Sequence, residues 1–133
     1  MKYIIIISTI LLFSCKSKEY ILSVDENYSP DKDQNIGYLI ESYSIDDDLL
    51  TLYVEYEGKR KNHDFQLVSD GFYKKSNPPK LTLYLTHQLK GAPKDIRTKD
   101  SISFDISPAK YPGKNENYIV TLILSGYDNP INY

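Results

Sequence analysis

The sequence predicts an all-β fold: an antiparallel β-sandwich of immunoglobulin-like type, with a small barrel as the alternative. Three observations predict it. Apolar and polar residues alternate with period two in several short stretches, as half-buried strands require. Gly, Pro, Asn and Asp break the chain between those stretches. No segment repeats its apolar residues at helical spacing.

The strands follow in order. Tyr38 to Ile45 reads as the first, and Asp46-Asp47-Asp48 as the turn after it. Leu50-Thr51-Leu52-Tyr53-Val54-Glu55-Tyr56 alternates cleanly, placing Leu50, Leu52, Val54 and Tyr56 on one face. Together these form the clearest hairpin. His63 to Val68 is a third strand, with His63, Phe65 and Leu67 on one side. Gly71 and Asn77-Pro78-Pro79 interrupt the chain before Leu81 to His87, where Leu81, Leu83, Leu85 and His87 align. Ser101 to Ile106 is a fifth strand, with Ile102, Phe104 and Ile106 inward. Tyr118 to Ser125 is a last strand, apolar enough to be buried on both faces.

The N-terminus has a different character. Lys2 precedes an apolar run, Ile4 to Phe13, which is too short for a permanent span of about 20 residues. Its length matches the apolar part of a secretory signal. Leu12-Phe13-Ser14-Cys15 closes it and resembles the lipobox of bacterial lipoproteins. Leu12, Ser14 and Cys15 match that pattern, whereas Phe13 is bulkier than the usual residue there. The resemblance implies cleavage before Cys15 and diacylglycerol on its sulfur, which makes the membrane a partner. The expected organisation is a removed signal peptide at 1–14, a lipidated N-terminus and tether at 15–35, and a sandwich at 36–133. Extended at ~3.3 Å per residue, a tether of about twenty residues would reach ~60 Å. No Asp follows Cys15 directly, which favours the outer membrane. Glu19 alone does not make the acidic cluster of surface-exported lipoproteins, so the periplasmic side is favoured.

Composition excludes some functions. Of 133 residues, 41% are hydrophobic and 26% charged, as in globular proteins rather than disordered ones. Removing 1–14 takes only Lys2 among charged groups, leaving 15 basic against 18 acidic residues. That balance argues against nucleic acid as a partner. Cys15 is the only cysteine, so a lipidated chain has no disulfide, no thiol nucleophile and no thiolate metal site.

Candidate sites are few. His63 and His87 are the only histidines, each in phase with its apolar strand face. They could meet between the sheets and bind zinc with a carboxylate such as Asp95, but zinc needs three or four ligands. A buried pair hydrogen-bonded within the protein is the expected alternative. Asp46-Asp47-Asp48 lacks the spacing and the Gly of a calcium loop, so a solvated turn is expected. Lys59-Arg60-Lys61 is a basic loop that could touch anionic lipid or a partner. Tyr53 and Tyr84 fall on the polar parity of their strands, where they could form a binding surface or cover a second buried layer. His63 and Asp64 point to opposite faces of a strand and cannot act as an acid-oriented base. Hydrolase and phosphate-loop motifs are absent, so no enzyme activity and no cofactor are expected.

His63-Asp64-Phe65-Gln66-Leu67, Pro78-Pro79, Leu83-Tyr84-Leu85-Thr86-His87 and Ser103-Phe104-Asp105-Ile106 occur in that order. The arrangement resembles the C-terminal β-sandwich domain of the NigD-like lipoproteins of Bacteroidetes, over about residues 37–133. Many relatives carry a preceding β-barrel domain, for which this chain has no room. They also tend to carry a Cys before the first His and another after the second. Gly58-Lys59-Arg60-Lys61 and Gly91-Ala92-Pro93-Lys94 stand there instead, so no role resting on that pair carries over. The resemblance supports the lipoprotein and all-β readings and implies no activity; with the residues above, the expectation is a lipid-anchored, non-catalytic envelope protein with a protein or other envelope partner. The family's name adds a bacteriocin-immunity-type role as an alternative, and His63 with His87 leaves a metal-binding one.

Overall fold

The computed structural model describes residues 20–30, 37–59, 63–89, 95–115 and 117–133. Cys15 and its lipobox, Arg60 and Lys61 lie outside the described residues.

Two β-sheets pack face to face. The sheet that carries the predicted hairpin contains β3 (Tyr38–Asp46) and β4 (Leu49–Glu57), joined through Asp47 and Asp48. Asp47 sits at φ 50°, a left-handed conformation that a short polar side chain tolerates and that suits a two-residue hairpin. β7 (Arg97–Asp105) pairs antiparallel with β4, setting Leu50 opposite Phe104 and Leu52 opposite Ile102. The second sheet is built on β5 (His63–Ser69) and β6 (Lys80–Leu89), also antiparallel. The expected parity holds on β4, β5, β6 and β7, whereas a bulge between Ile40 and Ser42 shifts it along β3. Leu50, Leu52, Val54 and Tyr56 of one sheet and Phe65, Leu67, Leu81, Leu83 and Leu85 of the other form the dry core, with Ile102, Phe104 and Ile106. Burying each such side chain contributes roughly 1.5–3 kcal/mol.

The sheets are mixed rather than wholly antiparallel. β8 (Thr121–Leu124) runs parallel to β6. The chain leaves β7 in the other sheet, passes a 3-10 turn at Ser107–Ala109, and has enough length to enter beside β6 in the same direction. β9 (Ile131–Asn132) then closes that edge antiparallel to β8. The sheet orders are β1-β7-β4-β3 and β2-β5-β6-β8-β9, with β1 at Tyr20–Ile21 and β2 at Ser23–Val24, two open sheets and not the barrel alternative.

Within the segment expected as a tether, Tyr20-Ile21-Leu22 also reads as a short edge strand, and part of the segment is sheet. β1 (Tyr20–Ile21) pairs parallel with β7, and β2 (Ser23–Val24) pairs parallel with β5. Leu22 lies between them, 3% exposed, and its N–H donates to Asp105 O at 2.9 Å. One apolar residue therefore carries the chain from one sheet to the other. The last long strand also differs from expectation. β8 itself begins at Thr121, after the buried Val120, and Tyr118 and Ile119 are exposed rather than buried. Their apolar character belongs to the connection, not to the core.

Candidate functional site

The histidines expected on apolar faces do meet. Phe65 on β5 is opposite His87 on β6, and His63 lies two residues from Phe65 on the same face. That diagonal brings His63 Nδ1 within 2.5 Å of His87 Nε2, with the imidazoles 4.8 Å apart and nearly parallel at 8°. Phe65 stacks on His87 at 4.7 Å. Tyr38 meets His87 edge-on at 5.4 Å, and Tyr56 lies 4.2 Å from His63. Both tyrosines are tied down by their hydroxyls. Tyr38 donates to Leu85 O at 2.7 Å, and Tyr56 to Asp100 Oδ2 at 2.8 Å. Burial, and then Tyr28 nearby, pushes the Tyr38 phenol up to about 12.

One imidazole must donate and the other accept. If His63 donates from Nδ1, its Nε2 is a bare acceptor; if it accepts there, neutral His63 carries its proton on Nε2. Either way Nε2 has a hydrogen-bonding role, yet it is buried without a partner among the described residues. Gly37 approaches from above at φ 91°, and a β-carbon there would sit 3.4 Å from His87 Cε1. The pair is thus roofed by backbone and walled by aromatic rings.

The pair supplies two nitrogens, and zinc takes three or four protein ligands. Among the described residues no group of three His, Cys, Asp or Glu could hold a metal, and Asp95 is exposed. Asp64 alternates away from His63 along β5, so the neighbouring acid does not orient the ring.

The other candidates separate. Tyr53 is 40% exposed on the outer face of β4. Tyr84, on the outer face of β6, is half-buried under Tyr28, 5.3 Å away, so the N-terminal segment covers it as a second layer. Lys59 is exposed at the edge of its loop. Asp48 is not merely a turn residue. Tyr133 donates to Asp48 Oδ1 at 2.7 Å, and Lys110 Nζ lies 3.0 Å from the same oxygen. No local motif announces that cluster, because its members stand 62 and 85 positions apart from Asp48.

No protein-family model matches the chain, and no curated protein sequence matches it. Solved structures do. A NigD-like immunity protein from Bacteroides caccae superposes with a TM-score of 0.60 at 13% identity, over 89% of this chain and 60% of its own. The chain shares the fold of that protein. A candidate lipoprotein from Bacteroides fragilis shares it at TM-score 0.53 and 16% identity, over 86% of this chain and 68% of that one. A protein of unknown function from Bacteroides vulgatus does so at 0.50 and 16%, over 87% and 54%. The chain thus spans about two thirds or less of the length of each of these three neighbours.

Proposed function

We propose that the protein is an envelope lipoprotein, anchored through lipid on Cys15 to the outer membrane, that presents a non-catalytic NigD-like sandwich to a protein or other envelope partner on the periplasmic side. The observation that carries this reading is order along the chain. A basic start, an apolar run and Leu12-Phe13-Ser14-Cys15 directly precede a sandwich of the kind found in a candidate lipoprotein. The described residues contain no helix long and apolar enough to cross a membrane. Two or more acyl chains hold a protein stably where one does not.

Metabolic labelling with an alkyne fatty acid tests the anchor. Label is expected on the wild-type chain and not on Cys15→Ser, which should also leave the membrane fraction. Label on Cys15→Ser overturns the anchor. Protease added to intact cells distinguishes the two sides of the outer membrane, and digestion there would overturn the periplasmic placement.

A second reading, bacteriocin immunity, is favoured by the likeness to a NigD-like immunity protein. Expression of this chain in a sensitive strain should then protect it from a bacteriocin encoded nearby. Absence of such a gene, or of protection, removes this reading and leaves the first intact.

A further inference from the structure

One end of the sandwich carries a cleft that the reading above does not use. It opens where the β3–β4 turn, the 3-10 turn and the C-terminal strand converge, and it encloses about 600 Å³. Small-molecule sites commonly span ~300–1,000 Å³. Ile45 and Val120 contribute its apolar part, and Asp48, Lys110, Asn117, Tyr118, Asn132 and Tyr133 supply its polar groups. We infer that this cleft is a binding site for a neutral saccharide.

The polar heads are positioned by the fold before any ligand arrives. Tyr133 is pinned to Val120 by two backbone hydrogen bonds, 2.7 and 2.9 Å, so its hydroxyl is held on Asp48. The Asp48 carbonyl accepts from Ile106 N–H at 2.8 Å. Lys110 follows the 3-10 turn, with its N–H on Ser107 O and its ammonium 3.0 and 3.3 Å from the two Asp48 carboxylate oxygens. Preorganisation of this kind reduces the ordering cost of binding.

Charge and hydrogen-bond inventory select the ligand class. Lys110 faces Asp48, and Asp47 adds a further negative charge, so the cleft does not favour an anion. The Asp48 carboxylate is already engaged by a phenol and an ammonium, which disfavours a bare cation. What remains is a close mix of acceptor, donor and two amides that do both. Adjacent hydroxyls, each donor and acceptor at once, match that mix. Tyr118 completes it with an aromatic surface 39% exposed, braced by Tyr111 at 5.4 Å and by Lys114 Nζ at 5.3 Å. A flat ring with a polar tip suits the C–H face of a pyranose.

The test is calorimetric titration of the full chain, in a detergent free of sugar headgroups, with cellohexaose, maltoheptaose, mannohexaose and chitohexaose. At least one is expected to bind with Kd between about 10 μM and 1 mM. Tyr118→Ala and Asn132→Ala, both at exposed positions, should each weaken it about tenfold while leaving the circular dichroism unchanged. Raising the salt from ~0.1 to ~0.5 M should change Kd less than about twofold, because no net charge is neutralised. No binding of any of the four at about 10 mM overturns the inference, as does binding that both variants retain in full. Affinity that collapses with salt and is displaced by inorganic phosphate would make the cleft an anion site and also overturn it.

Discussion

At the scale of single residues, the histidine pair joins two rings through one hydrogen bond. Removing the His87 ring takes the partner from Nδ1 of the buried His63, at about 1–3 kcal/mol for an unsatisfied buried group, and removing His63 breaks the same bond. Replacing both by apolar residues removes that penalty. His63→Phe and His87→Leu should therefore each destabilise the fold, while the double variant loses less than their sum, by about 0.5–3 kcal/mol. Urea unfolding of the four proteins measures this; strict additivity would show that the rings act independently. Two other residues each contribute to the dependence of stability on pH. The Tyr38 phenol, raised from 10.0 to about 12, adds stability that is whole below pH 10 and is lost as pH rises through about 12. Ultraviolet titration should show tyrosine ionisation lagging on the folded chain, with Tyr38→Phe removing part of the lag. Asp48 works in the opposite direction. The Tyr133 hydroxyl, then Lys110, holds its carboxyl below the usual range, so its contribution is present above about pH 3.9 and fades as pH falls through the folded value. Asp48→Asn should flatten the acid limb of a stability-versus-pH curve, and an unchanged limb would show that the cluster does not contribute.

At the scale of elements, the shortest strands have the widest reach. β1 and β2 each contain two residues, yet one joins each sheet. Leu22 between them is the only step of that crossing that is fully buried. Leu22→Ala is expected to cost about 2–5 kcal/mol, the range for large-to-small core changes. Hydrogen exchange should then rise first at the β7 and β5 edges; exchange spread evenly over the sandwich would contradict a local role. Gly71 supports the same corner. At φ 78°, with a built β-carbon 2.8 Å from Val24 Cγ1, Gly71→Ala meets both a backbone and a steric penalty.

At the scale of the molecule, the sandwich was legible because its long strands each bury one face. Leu50, Leu52, Val54 and Tyr56 keep period two without interruption, and the turn signal at Asp46 to Asp48 fixes where they reverse. Strands of two residues have no period to read, which hid β2 and β9, whereas the apolar step Tyr20-Ile21-Leu22 already reads as a short edge strand where β1 lies. Parity put both histidines inward, but their meeting depends on a diagonal register between β5 and β6 that the intervening loop does not encode. Asp48, Lys110 and Tyr133 converge only because the 3-10 turn and β9 close over the same hairpin. Tyr118 and Ile119 look like core from composition, yet they precede the first residue of β8 and face solvent.

The N-terminal crossing has a mechanical consequence. With a lipid on Cys15, only residues 16–19 would separate the anchor from β1, a contour of roughly 17 Å at ~3.3 Å per residue rather than ~60 Å. Any tug between membrane and partner would then enter at Tyr20 and run along a strand parallel to β7. Such a pull loads the edge bonds in shear, together with the Leu22 plug, and spreads at once into both sheets. The domain would behave less like a ball on a string than like a bracket bolted at one corner.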